Sequence, residues 1–185
     1  MKVINLFGGP GSGKSTLASG VFSLLKLHGV NCELITEFAK DLVWEKRKKT
    51  LENQTYILGK QHHKIWRIPK SIEIVVTDSP IVQGILYIDK SDSTMIDFTI
   101  KKFNEFDNIN YFLNRVKPYN PDGRNQTENE AKELDSDIIK LIKSCILEYK
   151  ILDGDYKSIN KIVADILQLL GYGKPKIFLS NMNIY

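Results

Sequence analysis

Only two cysteines, Cys32 and Cys145, occur in the 185 residues, and neither belongs to a CxxC pair. That excludes a disulfide framework and a zinc ribbon and reads as two reduced thiols. Histidine is nearly as scarce, with three: of these His62 and His63 are adjacent, so on a helix they point to different faces and do not share a metal. Long hydrophobic runs are absent too. The apolar start of the chain gives way to glycines after about five residues, and no stretch approaches the ~18 needed to span a bilayer. An export signal or membrane partner is therefore not expected, and a cytoplasmic location is. Neither sign of charge dominates: 26 basic against 22 acidic residues give a net +4, ordinary for a globular protein and compatible with anionic substrates. Repeats and low-complexity tracts are missing as well.

Hydrophobic patterning alternates between two periods. Val3 to Phe7 is an apolar run ending in glycines, as in a buried strand. Leu17, Val21, Leu24, Leu25 and Leu27 then follow helical spacing until Gly29 stops them, and Cys32 to Thr36 reads as the next strand. The unit is βαβ, with parallel strands and a right-handed crossover. Residues 38–68 predict two helices broken around Thr50. Ile72 to Thr77 is the strongest strand signal, Pro80–Tyr87 and Thr94–Phe106 read as helices, and Asn108 to Leu113 as a fourth strand. Thr127 and Glu130 form a capping-box pattern opening a long helix to Tyr149. Ile151-Leu152 suggests a fifth strand and Ser158–Leu170 a last helix. The expected fold is an α/β three-layer sandwich with a parallel sheet of about five strands. One domain spans 1–171, with a helical insertion at 38–70, a loop at 114–126 and a tail at 172–185.

Gly8-Gly9-Pro10-Gly11-Ser12-Gly13-Lys14-Ser15 satisfies the Gly-x4-Gly-Lys-Ser pattern in its proper context, a strand before and a helix after. Glycines let successive backbone N–H groups of Gly8, Gly9, Gly11, Ser12 and Gly13 turn inward around phosphate, and the helix N-terminus at Lys14, Ser15 and Thr16 adds its positive end. Lys14 would reach the β- and γ-phosphates of ATP, and the Ser15 hydroxyl would ligate Mg²⁺. Such a loop identifies a nucleoside triphosphate site without naming a reaction.

Two carboxylates narrow it. Asp78 ends the third strand and Glu37 follows the second, at the sheet edge that carries the glycine loop. Asp78 would help hold Mg²⁺ and Glu37 would face an acceptor as general base, the alternatives being a helix cap and a surface carboxylate. Arg115 and Arg124 flank the loop after the fourth strand, where guanidiniums can neutralise a migrating phosphoryl group. Residues 40–70 carry nine basic residues against three acidic, an excess larger than that of the whole chain. This suits a phosphorylated acceptor, with Lys40 and Arg67 nearest the expected cleft; the run Lys46 to Lys49 reads more simply as a solvated face.

Gly-Gly-Pro-Gly-Ser-Gly-Lys-Ser-Thr at 8–16, Thr-Glu-Phe-Ala-Lys at 36–40, Thr-Asp-Ser-Pro at 77–80 and Phe-Leu-Asn-Arg with Tyr-Asn-Pro-Asp-Gly-Arg within 112–124 occur in order. Together they resemble the nucleoside and nucleotide kinase group of P-loop proteins, closest to the AAA_28-type domains of phage proteins and ribosylnicotinamide kinases, over roughly 2–170. The resemblance implies acceptor contacts from Glu37 and the 38–68 segment, a base-reading glutamine for which Gln61 is the best match, and a lid bearing Arg115 and Arg124. Phe38 and Ser79 stand where many deoxynucleoside kinases have proline and arginine, so the acceptor is less defined than the reaction class.

The expectation is an ATP- and Mg²⁺-dependent phosphotransferase acting on a small nucleoside or nucleoside monophosphate. A polynucleotide kinase, for which nucleic acid is the partner, and a non-catalytic ATP-binding switch are the rival readings. A homodimer is left open.

Overall fold

The structure, a computed structural model, describes residues 1–116, 118–120 and 127–176. Five parallel strands form one sheet: β1 (Lys2–Phe7), β2 (Cys32–Ile35), β3 (Ile74–Thr77), β4 (Asp107–Asn114) and β5 (Lys150–Asp153), in the spatial order β2-β3-β1-β4-β5. β1 is central and five of its six residues are buried, as a strand covered on both faces requires. Its alternation still sorts the layers. Ile4 and Leu6 face α1 (Lys14–Leu27) and α7 (Tyr156–Leu169), while Val3 and Phe7 pack with Ile65, Phe103, Ile138 and Ile142 on the opposite face. Those four residues belong to α4 (Gln54–Trp66), α5 (Ser93–Phe103) and α6 (Glu128–Ser144). Every strand thus delivers its carboxyl end to one edge, where Gly8, Thr36, Asp78, Arg115 and Gly154 follow.

Three local departures from the sequence expectation have identifiable causes. The insertion after β2 holds three helices, not two: α2 (Phe38–Trp44), α3 (Lys48–Leu51) and α4. Lys46, at φ 57°, ends α2 in the left-handed conformation, and the Arg47 N–H closes the turn onto Leu42 O at 2.9 Å. Residues Ile81–Tyr87 form a 3₁₀ helix; Gln83 N donates to Pro80 O three residues back, in a segment that opens on a proline and contains Gly84.

The third departure is α6, which ends at Ser144 rather than Tyr149. Its start is as expected, with Thr127 and Glu130 completing the capping box. Its end is set by Ile146, at φ 54°, with Leu147 N–H bonded to Ile142 O. A β-branched residue is strained there, and Ile146 is 90% exposed, so its side chain buries little in return. Ile146→Gly is therefore expected to stabilise the protein by about 1 kcal/mol, read as a higher denaturant midpoint at unchanged m value. A lower midpoint would contradict the strain.

Candidate active site

The glycine loop connects β1 to α1 as a tight turn. Gly8, Gly11 and Gly13 have φ of 146°, 81° and 98°, values that L side chains rarely adopt, and Ser12 N–H closes the turn on Gly9 O. This backbone turns its amides toward one concavity, and the first-turn amides of α1 have no intrahelical acceptor. Lys14 folds back over the loop, its Nζ donating to Gly8 O at 2.7 Å and Gly9 O at 3.0 Å. Burial lowers the Lys14 pKa from its ordinary value, opposed by the nearby carboxylates of Glu37 and Asp78.

A cavity of about 810 Å³ opens from this loop toward α2–α4. Pro10, Gly11, Gly13, Lys14, Ser15 and Thr16 line its donor side, and Glu37, Lys40 and Asp78 its middle. Gly8, Gly9 and Ser12 lie behind the lining. Ser12 is buried, and its Oγ has no hydrogen-bond partner among the described residues. Asp78 and Glu37 are locked together through the backbone: the Glu37 N–H donates to Asp78 Oδ1 at 3.0 Å. Burial pushes the Glu37 carboxyl up from its ordinary range, with Lys14 pulling it back and Asp78 adding to the rise. Asp78 is likewise raised by burial, against Lys14 and the bond from Glu37. A half-buried cation with lowered proton affinity and two carboxyls with raised proton affinity in one cavity are the electrostatic signature of a reacting centre.

Two expected acceptor residues lie elsewhere. Gln61 is buried beneath the strand-two turn; its Oε1 accepts from Phe38 N–H at 3.0 Å and its amide faces Thr36 O at 3.5 Å. Its hydrogen-bonding atoms thus hold the segment that presents Glu37, and they do not line the large cavity. Arg67 caps the far end of α4, exposed and outside the cavity lining. Lys40 does line it, as does Lys48.

Arg115 is placed differently from the expected phosphate-facing arginine. Its guanidinium reaches around the outside of the glycine loop, donating to Pro10 O, to Ala131 O at 3.3 Å and to Asp135 Oδ2 at 2.9 Å. Asp135 Oδ1 accepts from Gly9 N–H at 2.6 Å. Arg115 and Asp135 therefore brace the loop against α6, and Tyr119 packs over the guanidinium. Arg124 lies outside the described residues. Asp135, Gln83 (which faces Gly8 through its amide at 3.3 Å) and Gly154 were not found from sequence. They sit far from the motif along the chain, and no local spacing marks them.

A parallel α/β sheet whose central strand feeds a glycine loop and helix N-terminus, with carboxylates at the adjoining strand ends, defines a P-loop nucleotide-binding protein. The chain belongs to the AAA domain family AAA_28, whose profile matches residues 3–158. Its fold is similar to that of deoxyadenosine kinase from M. mycoides. The structure of that enzyme with the products dCMP and a flexible dCDP bound superposes with a TM-score of 0.56 at 21% identity, over 90% of this chain and 99% of that one. The same enzyme with bound dATP gives a TM-score of 0.54 at 22% identity, over 91% and 99%. A comparison with curated proteins finds no match. Among the described residues, no helix is long and apolar enough to cross a membrane.

Proposed function

We propose that the protein transfers the γ-phosphoryl group of ATP to a hydroxyl of a small nucleoside-type acceptor. The observation that carries the reading is the convergence of Lys14, Glu37 and Asp78 on one cavity, with the glycine loop at one end and open, partly apolar space under α2–α4 at the other. A switch or simple ATPase has no use for that second compartment.

The loop amides and Lys14 hold and neutralise the phosphates. In the present arrangement Lys14 is satisfied by the carbonyls of Gly8 and Gly9, so triphosphate binding exchanges these for phosphate oxygens. Glu37 takes the acceptor hydroxyl proton as the oxygen bonds to the γ-phosphorus and the bond from that phosphorus to the β–γ bridging oxygen breaks, releasing ADP. Its raised proton affinity suits a group that must accept a proton near neutral pH. The Ser15 hydroxyl and Asp78 carboxylate, both on the cavity wall, are hard oxygen donors of the type Mg²⁺ prefers and would hold it. A metal held there would supply charge neutralisation to the triphosphate. Gln61 and Asp135 act through what they position, the Glu37 turn and the glycine loop.

Incubation with γ-labelled ATP and a panel of nucleosides, mononucleotides, ribosylnicotinamide and short oligonucleotides tests the reading. Acceptor-dependent label transfer to a nucleoside-type compound is expected. Slow ATP hydrolysis that no acceptor accelerates would overturn it.

A further inference from the structure

The acceptor half of the cavity combines an apolar wall with two lysines, and a simple nucleoside uses only the first. Val43, Leu51 and Ile57 supply an apolar wall suited to a flat heterocycle. Lys40 and Lys48, from α2 and α3, line the same space, and among the described residues neither makes a hydrogen bond or an ion pair. The neighbouring cations Arg47, Lys49 and Lys64 are within salt-bridge distance of Glu45, Glu52 and Asp41. Glu52 also lines the cavity, but it is the partner of Lys49. Both ammonium groups are exposed, Lys48 within the run read from sequence as a solvated face, and Lys40 also lies in the field of Glu37 and Asp78. With no carboxylate in salt-bridge contact, they remain able to take an anion on a molecule bound against the apolar wall.

Glu37 constrains where that anion sits. A phosphate monoester has its second pKa near 6, so as an attacking group at neutral pH it brings little proton for a base to remove. A carboxylate at the reacting position would instead repel it. Glu37 serves a hydroxyl nucleophile, and Lys48 with Lys40, which also faces the Glu37 and Asp78 carboxylates, serves an anionic group, so both belong to one acceptor at different positions.

Resting on the phosphotransfer reading, we infer that the acceptor is a phosphorylated nucleoside that still presents a free hydroxyl, its phosphate held by Lys40 and Lys48 and its hydroxyl facing Glu37. A nucleoside 3′-monophosphate with a free 5′-hydroxyl is the smallest such molecule. Transfer leaves the existing phosphate untouched: one O–P bond forms at the hydroxyl, one breaks in ATP, and the hydroxyl proton goes to Glu37.

The test is kcat/KM for label transfer to a matched set: one nucleoside, its 3′-monophosphate and its 5′-monophosphate. The 3′-monophosphate is expected to exceed the nucleoside by about tenfold or more, the increment of one charge-assisted phosphate contact. Lys40→Gln and Lys48→Gln should each shrink that preference, and added salt should erode it. Equal use of the nucleoside, conversion of the 5′-monophosphate to a diphosphate in preference, or a preference unchanged in both lysine variants would each overturn the inference while phosphotransfer stands. Transfer to no member of the set or of the wider panel would instead remove the phosphotransfer reading, and the inference with it.

Discussion

Glu37→Gln is expected to lower kcat by about 10²–10⁴-fold, the range lost when a positioned general base is removed, while the KM for ATP changes little. The amide keeps the shape of the side chain and leaves intact the Glu37 N–H bond to Asp78, which is a backbone contact. Only the proton acceptor disappears. The pH profile separates this from a structural effect. In the wild type, activity should rise with pH through an apparent value above the ordinary glutamate 4.5, because burial raises the carboxyl and only its ionised form accepts a proton. Glu37 and Asp78 are mutually coupled, so the limb belongs to the pair; in the Gln variant it should lose the part due to Glu37. Stability moves the other way. Both carboxyls have folded values above their unfolded ones, 4.5 and 3.8, so the folded chain binds more protons than the unfolded chain. Their contribution is fully present below the unfolded values and is lost as pH rises through the folded values, so ∂ΔG/∂pH is negative across that window. The Gln variant should show a flatter decline. Unchanged turnover would remove Glu37 from the mechanism.

The contrast between Glu37 and Gln61 illustrates what a sequence reveals of such a site. Glu37 and Asp78 follow strand ends within two residues, Lys14 and Ser15 follow β1 across the glycine loop, and a parallel sheet sends all its strand ends to one edge. Recognising the strands, together with the glycine-loop motif for Lys14 and Ser15, was therefore enough to gather these four residues in one place. Gln61 sits on a helix, where direction depends on rotation about the axis and on how the helix packs. Sequence gave its type but not its aim, and its amide faces the backbone of Thr36 and Phe38. Arg115 failed as a phosphate contact for a related reason. It follows β4 as expected, yet a long side chain has several directions open to it. The carboxylate of Asp135 and the carbonyls of Pro10 and Ala131 decide among them, and two of the three lie on α6, well after Arg115 in the chain. Helix breaks were misplaced where non-glycine residues, Lys46 and Ile146, occupy positions that glycine usually marks.

Gly154→Ala is expected to raise the KM for ATP by about 100-fold or more, although Gly154 lies outside every motif. A Cβ there would fall 2.0 Å from Ser12 O and 3.1 Å from Asn114 O. Both are backbone atoms, so no rotamer change relieves the clash; the glycine loop or the β5–α7 turn must retreat by more than an ångström. Its φ is not positive, so close approach and not backbone conformation demands glycine. The interlock is reciprocal, since a Cβ on Gly13 would meet Gly154 O at 2.9 Å, and Gly154 N–H is tied to Asn114 O at 2.9 Å. A displacement of about 1 Å in positioning elements can cost 10²-fold, and overpacking adds about 1–3 kcal/mol of instability. Gly59→Ala provides the comparison. Gly59 lies within α4, where a Cβ would meet nothing within 4 Å, so alanine should stabilise the protein by about 0.5–1 kcal/mol. Measuring the KM for ATP and the thermal midpoint of both variants separates a general glycine effect from the interlock: the midpoint should rise for Gly59→Ala and fall for Gly154→Ala, with only the latter losing affinity for ATP. An unchanged KM in Gly154→Ala would mean that the β5–α7 turn yields alone and does not set the phosphate cradle.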